Sequence, residues 1–395
     1  MIAFEEAYKK VLEHTLSFGN ETVLFTKSLG RVLAEDIYAD RDFPPFDRAT
    51  KDGIAINSEG LSQTNSFKIE GIVSAGTPQA VLQEKSNCVE IMTGAVLPKN
   101  ADTVVMYEEI VVENGIAKIT NTAKKGQNIH YKGSDVKKGA VVVKKDTLIT
   151  ASEVGILAAV GKVEVLVKKL PKVTLISTGD ELVAPHETPA PHQIRNSNMH
   201  SLHALLLNEQ IHPQHVHLND NLEEIESSLK DLLHTNDVLI LSGGVSKGKF
   251  DFIPQAFENL EVEKVFHRVK QRPGKPFWFG VHHETKTTIF SFPGNPVSTF
   301  VSYHLYFKNW LQQSLNISAK KEHVKLGEAF SNTTSLTLFV RVKVENIDGE
   351  LIAFPVKENG SGDLMSLAFT DGFVIIAPTK ETFQKGETVP FIATR

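Results

Sequence analysis

A single cysteine, Cys88, stands in a chain of 395 residues. That excludes an intramolecular disulfide and any thiolate-built zinc or iron–sulfur site. Positive charge is not in excess either: 42 Lys and Arg against 47 Asp and Glu leave a formal net charge of −5. General nucleic-acid binders are basic, so that class is disfavoured, and any anionic ligand must be held by local donors rather than by overall charge. No apolar run reaches the roughly 18 residues of a membrane-spanning helix. The opening, Met1-Ile2-Ala3-Phe4-Glu5-Glu6, has neither the basic nor the apolar region of a secretory signal. The expectation is a soluble, cytoplasmic protein with no nucleic-acid or membrane partner. Gly (26) and Pro (17) occur at ordinary frequency, which removes collagen-like and low-complexity readings. What the chain does have is apolar material, 41% of its residues, enough for sizeable cores in about two to four domains.

Apolar residues at Phe4, Ala7, Tyr8, Val11 and Leu12 recur with helical spacing, so an amphipathic helix opens the chain. From about Gly53 to Val143 the text is alternating and β-branched, broken by turns such as Asn114-Gly115 and Lys125-Gly126. Ile110-Val111-Val112 and Ala117-Lys118-Ile119 flank Asn114-Gly115 and predict a hairpin. This stretch reads as a small β domain inserted into the first, to which a helix near Ser152–Val160 returns the chain. Around Pro171 the period changes. Strands are expected at 173–176, 215–218, 238–241, 277–279 and 289–292, with helices at 197–207, 222–233 and 296–315. Strands alternating with helices of this length predict a mostly parallel sheet with crossovers. After about Val324 the text is β again. The expected fold class is multidomain α/β plus β: a central α/β domain, an N-terminal mixed domain carrying an inserted β domain, and a C-terminal β-barrel-like domain.

Polar, glycine-bearing stretches follow strands of the α/β segment directly. They are Ser177-Thr178-Gly179-Asp180-Glu181-Leu182, then Ser242-Gly243-Gly244-Val245-Ser246-Lys247-Gly248-Lys249-Phe250-Asp251, then Pro293-Gly294-Asn295-Pro296-Val297-Ser298. In a parallel sheet such loops share the carboxyl edge, where ligands bind at the switch in strand order. Glycines admit close backbone approach, successive N–H groups make anion concavities, and Pro296 opens a helix whose positive end faces the same crevice. Glu181 and Asp251 place carboxylates beside that pocket, the composition expected where Mg²⁺ bridges protein and phosphate. Taken singly, each loop also reads as an ordinary tight βα turn. The stretch Arg268-Val269-Lys270-Gln271-Arg272-Pro273-Gly274-Lys275-Pro276 adds cations on a Pro/Gly-restricted chain, a rim suited to a tetrahedral oxyanion, or else a solvated basic loop.

These motifs, with Pro45-Phe46-Asp47-Arg48-Ala49-Thr50-Lys51-Asp52-Gly53 and Ile91-Met92-Thr93-Gly94-Ala95, resemble those of the molybdopterin molybdenumtransferase family, which is similar to the E domain of gephyrin. The likeness runs from about residue 2 to residue 393. It implies a homodimer that takes adenylylated molybdopterin and molybdate, inserts the metal at the dithiolene and releases AMP in a Mg²⁺-dependent step. It implies a dimerisation domain of residues 1–45 and 145–170, an inserted β domain 46–144, an α/β molybdopterin-binding domain 171–318 and a β domain 319–395. By motif, Asp52, Thr93, Glu181, Asp220 and Asp251 carry catalysis, with Glu181 and Asp251 on the metal. Asn198, Ser242, Gly243, Gly244, Ser246, Gly248, Pro293, Gly294, Asn295 and Pro296 surround the substrate. Arg272, Lys275, Ser298, Arg341 and Ser361 surround molybdate. The molybdopterin adenylyltransferase that acts before such an enzyme is a candidate partner, and as an activity it is the nearest rival reading; a scaffold that keeps the fold is the non-enzymatic one. Departures from the family pattern are Lys51 for methionine, Arg268 and Arg272 for lysines, and His130 for arginine.

Molybdate is a dianion beside an anionic phosphoanhydride, so cations and N–H dipoles must intervene between them. Arg272, Lys275, Arg341 and Mg²⁺ are what the sequence offers. The clustered His200, His203, His212, His215 and His217 read as surface histidines before a zinc set, since no cysteine completes one. Trp278 reads as core or groove wall before a stacking platform.

Overall fold

The structure is a computed structural model and describes residues 1–245, 252–318, 322–379 and 382–395. The chain divides into two compact units, one of Met1–Glu21 with Val167–Arg395 and one of Thr22–Leu166.

The first unit holds the α/β layer. Its elements in chain order are β1 (Val173–Thr178), α1 (Ser197–Asn208), β2 (Gln214–Leu218), α2 (Leu222–Thr235), β3 (Val238–Ser242), α3 (Ile253–Asn259), β4 (Glu263–His267), β5 (Trp278–His282), β6 (Thr287–Phe292), α4 (Pro296–Ser302) and α5 (Lys308–Ser314). The sheet order is β2-β1-β3-β6-β5-β4. Strands β2, β1, β3 and β6 are mutually parallel and β5 is antiparallel to both its neighbours. Every residue of β1, β3 and β6 is buried, as befits parallel strands covered on both faces. Helix α2 buries Ile225, Leu229 and Leu233 along one stripe, and its start is capped by Asn221, whose side chain accepts the Glu224 N–H at 3.2 Å. The chain leaves β1 for β2 on one side and then crosses to β3 on the other, so the order reverses between β1 and β3.

Two elements were not expected from the sequence. Helix α3 is only seven residues long, too short to establish a period, and β4 (Glu-Lys-Val-Phe-His) buries only Phe266 fully. The single helix expected at 296–315 is interrupted: a π turn, Tyr303–Phe307, joins α4 to α5 and places five consecutive side chains in the interior. The opening helix, Phe4–Glu13, buries Ala7 and Val11. It packs on this layer, with the Phe4 ring 6.2 Å from Tyr306 and the Trp310 indole N–H donating to the His14 carbonyl at 2.8 Å.

The same unit ends in a barrel of β7 (Glu322–Leu326), β8 (Thr337–Ile347), β9 (Glu350–Pro355), β10 (Gly372–Ile376) and β11 (Thr388–Ala393). Pairing runs β8-β9-β7-β11-β10 and back to β8, so the ring closes and leaves no free edge. Val324, Leu326, Val342, Val374 and Val389 fill it. The short strand Gln271–Arg272 lies parallel to the start of β8, Arg272 opposite Leu338, and so attaches the cationic loop to the barrel.

In the second unit six strands form one sheet, in the order Thr103–Met106, Gly53–Ile56, Asn87–Ile91, Ser66–Val73, Ile116–Ile119 and Ile110–Glu113. The last two form the hairpin read from the sequence, with Asn114 and Gly115 at φ +50° and +75°, as a two-residue I′ turn requires. Its helix, Ala151–Ala159, starts with a Thr150–Glu153 capping box. No helix among the described residues is long and apolar enough to cross a membrane.

Candidate active site

The carboxyl ends of β1, β3 and β6 deliver their loops to one cavity of about 410 Å³ at the switch in strand order, lined by Thr178, Glu181, Asn198, Ser242, Gly243, Gly294, Asn295 and Pro296. Asn198, near the start of α1, ties the walls together. Its Nδ2 donates to Ser242 Oγ at 2.8 Å and to the Gly294 carbonyl at 2.7 Å. The hydroxyl of Thr299, one turn into α4, donates to the Pro293 carbonyl at 2.6 Å and lies 3.3 Å from Ser242 Oγ. Nothing in the sequence marked Thr299 except its place four residues after Asn295.

Gly243 and Gly244 have φ of +103° and +70°, backbone that L side chains avoid. A β-carbon on Gly244 would also sit 2.7 Å from Ile253 Cγ1 and 2.9 Å from Thr178 Oγ1, whereas one on Gly294 would meet only the Gly243 Cα, at 3.7 Å. The second and third loops thus run almost backbone to backbone. The walls mix Thr, Ser, Asn and Gly residues with the apolar Leu182 and Ile194. Glu181 folds its carboxylate over Gly179. Arg195, not picked out from the sequence, lines the same cavity while donating to the Glu187 carbonyl at 3.0 and 3.2 Å.

A second cavity, about 500 Å³, opens where the cationic loop meets the barrel. It is lined by Arg272, Arg341, Glu358, Gly360 and Ser361 over an apolar floor that includes Phe339. Arg341 projects from β8 and is buried. Its Nη1 donates to Ser366 Oγ at 2.6 Å and reaches the Asp363 carbonyl at 3.5 Å, and its Nη2 donates to the Gly360 carbonyl at 3.1 Å and to Glu358. Arg272 is exposed and makes no ion pair among the described residues. Ser361 accepts the Asn295 side-chain N–H at 2.7 Å, and its carbonyl accepts from Val297 N at 3.1 Å. Gly360 and Ser361 line the second cavity and Gly362 lines the first, so one short segment forms a wall of each.

Residues 2–161 match the MoeA N-terminal region (domain I and II), 174–313 a probable molybdopterin binding domain, and 323–394 the MoeA C-terminal region (domain IV). A molybdopterin molybdenumtransferase of Synechocystis is 38% identical over 398 residues, covering all of both chains. The chain belongs to the MoeA family. Another member, the molybdopterin molybdenumtransferase of Bacillus subtilis, is 33% identical over all of this chain and 94% of its own. A solved MoeA protein from Pyrococcus horikoshii matches with a TM-score of 0.82 at 32% identity, covering 100% of this chain and 99% of that one.

Against the MoeA fold, the residues singled out from the sequence fall into groups. Glu181, Asn198, Ser242, Gly243, Gly294, Asn295 and Pro296 line the first cavity, and Arg272, Arg341 and Ser361 line the second. Gly244 and Pro293 are not on the wall of the first: Gly244 packs against Ile253 and Thr178, and the Pro293 carbonyl accepts from Thr299. Lys275 is exposed and Ser298 is buried on α4, and neither is on the wall of either of these two cavities. Asp220 stands just past β2, its N–H 3.5 Å from Asp180 Oδ1. Ser246, Gly248 and Asp251 lie outside the described residues.

Asp52 and Thr93 belong to the other unit, where the Gly53–Ile91 register brings them together. The Thr93 N–H and hydroxyl donate to one Asp52 oxygen at 2.6 and 2.8 Å and hold its carboxyl below the usual carboxylate range. His130, the arginine replacement, lies between Arg48 and Asp135, at 3.3 and 2.7 Å. Trp278 is core: it is buried and stacked on Phe257 at 4.8 Å. His203 and His215 meet at 2.6 Å, His217 meets Ser177 at 2.9 Å, and no group of three metal-ligating side chains occurs among the described residues.

Proposed function

We propose that this MoeA protein is a molybdopterin molybdenumtransferase, inserting molybdenum from molybdate into adenylylated molybdopterin with release of AMP. The observation that carries this reading is the shared wall: Gly360–Gly362 separates a cavity of N–H, hydroxyl and carboxylate groups from one that presents Arg272 and Arg341. The first suits a nucleotide-linked pterin, the second a tetrahedral dianion, and their contiguity supports a step that joins metal to pterin.

In this reading Asn198, Ser242, Gly243, Gly244, Ser246, Gly248 and the Pro293–Pro296 turn hold the adenylylated substrate. Arg272, Arg341 and Ser361, on the wall of the second cavity, hold the oxyanion directly, with Lys275 in the Arg272 loop and Ser298 just after the Asn295 turn assisting. The Ser361 hydroxyl oxygen already accepts from Asn295, which leaves its O–H to donate. Asp52, Thr93 and Asp220 assist the reaction. The nucleophilic sulfurs belong to the substrate, so no activated serine or cysteine is required. Glu181 brings an oxygen donor to the cavity wall, with no ion-pair partner among the described residues, which fits a hard cation held mostly by phosphate and water. Glu181, with Asp251, would hold Mg²⁺, which would neutralise phosphoanhydride charge when bound. We further propose a cytoplasmic homodimer with the four-part domain division given above, accepting its substrate from the adenylyltransferase. Purified protein given adenylylated molybdopterin, molybdate and Mg²⁺ should release AMP in proportion to molybdenum inserted. Adenylylated pterin made from molybdopterin and Mg-ATP instead would assign it to the preceding step.

A further inference from the structure

The Arg341 guanidinium has both terminal nitrogens engaged: Nη1 by Ser366 and the Asp363 carbonyl, Nη2 by Glu358 and the Gly360 carbonyl. A bidentate grip on an oxyanion needs an edge of that fork vacated. The Gly360 and Asp363 partners are backbone. Ser366 is buried and held in turn, its hydroxyl donating to the Asp363 carbonyl at 2.7 Å. Glu358 differs: 37% of its side chain is exposed, against 6% for Arg341. It is the partner that can leave.

The position it holds is informative. One Glu358 oxygen, Oε2, accepts from Arg341 Nη2 and also from the Gly360 backbone N–H. A guanidinium and a peptide N–H converge on a single negatively charged oxygen inside a cavity that also carries Arg272 and Ser361. We propose that Glu358 is an internal competitor, its carboxylate occupying the place of a substrate oxyanion oxygen and swinging out when the dianion binds. Glu358 thereby sets oxyanion affinity and charge selectivity. Left in place, it would repel the dianion from a few ångströms; displaced, it releases two donors already aimed at the incoming oxygen. This rests on reading the Arg272–Arg341 cavity as the molybdate site.

The test is E358Q, which keeps the shape and the acceptor oxygen but removes the charge, with E358A as a second variant that removes both. Binding of molybdate, tungstate and sulfate is measured by calorimetry on the full chain, with nitrate and perchlorate as monoanionic probes. E358Q is expected to bind molybdate at least about tenfold more tightly, to gain more for dianions than for monoanions, and to show a lower molybdate KM in AMP release. E358A should show the same preference for dianions. A carboxylate that stays in place would also favour dianions once its charge is removed, so displacement is read directly from a crystal structure of the wild type with molybdate. An oxyanion oxygen should accept from Arg341 Nη2 and the Gly360 N–H with Glu358 turned away, and Glu358 still seated on both donors would overturn the proposal. Wild-type binding of molybdate with equal or weaker binding by E358Q would overturn the proposal while leaving the site assignment standing. If neither wild type nor variants bind any dianion, the site assignment falls and the proposal with it.

Discussion

Gly244 and Gly294 sit on facing loops of the first cavity, yet a methyl group should do opposite things at the two positions. At Gly244 the backbone is left-handed, φ +70°, which costs an alanine about 1–2 kcal/mol. Its β-carbon also meets Ile253 Cγ1 at 2.7 Å and Thr178 Oγ1 at 2.9 Å, and such overpacking costs about 1–3 kcal/mol more. Gly244→Ala should therefore destabilise the α/β layer by about 2–5 kcal/mol. At Gly294 the only neighbour is the Gly243 Cα at 3.7 Å, an ordinary contact, and φ is not in the left-handed region. Gly294→Ala should leave stability within about 0.5 kcal/mol of wild type, while its methyl intrudes on the cavity and should weaken binding of the nucleotide-linked substrate proposed for it. The assay is supplied by the chain itself. Its only two tryptophans, Trp278 and Trp310, are both buried in the α/β layer, so denaturant unfolding followed by tryptophan emission reports on that layer. If the two variants unfold together, or Gly294→Ala unfolds first, the account of how these loops are packed is wrong.

The remaining predictions concern titratable groups. The Asp52 carboxyl, held low by the Thr93 N–H and hydroxyl, should titrate below the ordinary aspartate range in a carbon-13 NMR titration, and Thr93→Val should move it part-way back up by removing one donor; an unchanged midpoint would refute the assignment. Cys88 is buried and its thiol is pushed up to about 12, first by desolvation and then by Glu90 and Glu70, so the native protein should resist a thiol-exchange reagent that modifies the denatured chain fully. His304 is buried, both ring nitrogens lack a hydrogen-bond partner among the described residues, and its pKa is lowered to about 3 by desolvation and by Lys308. The unfolded chain takes up that proton near 6.5 and the folded one does not, so stability present above pH 6.5 should fall as pH drops toward 3. His304→Phe, beside Phe300 and Tyr303, should flatten that loss in unfolding curves taken at pH 7 and pH 5; an equally steep acid limb would rule His304 out as its source.

The first cavity was legible because its parts announce themselves locally. Val173–Thr178, Val238–Ser242 and Thr287–Phe292 are buried throughout, read as short apolar runs, and are each followed by a glycine-bearing turn. Parallel-sheet geometry then brings those turns together without further information. The second cavity was only half legible. Arg272 stood out in a run of cations and Arg341 through resemblance, but Glu358 precedes an Asn-Gly-Ser-Gly turn and looks like any solvent-facing acid. Its meaning depends on the fold of the 358–366 loop around a barrel strand, which no periodicity encodes. The π turn at Tyr303–Phe307 was hidden for a related reason: a run of five large, uniformly buried residues shows no polar face to fix a helical register, and only packing decides where an extra residue is accommodated. The Asp52–Thr93 pair needed the strand register Gly53–Ile91, a long-range fact.

Glu358 also answers a question that folding raises before catalysis does. Arg341 is 6% exposed, and a guanidinium that far from water without a counter-charge costs several kcal/mol. If the second cavity receives a dianion, as proposed, it has a difficulty whenever the dianion is absent: the cation that would bind it destabilises the empty protein. Supplying a carboxylate from the same loop resolves it, provided the carboxylate stays partly solvated and can return to water. Glu358 meets that condition and Ser366, buried, does not. The arrangement carries a cost that follows from linkage: whatever Glu358 contributes to the empty fold is subtracted from oxyanion affinity. E358Q should then be less stable than wild type without oxyanion and should recover more of its stability when molybdate is added. An E358Q protein as stable as wild type in the absence of oxyanion would mean that Ser366 and the backbone carbonyls alone compensate Arg341.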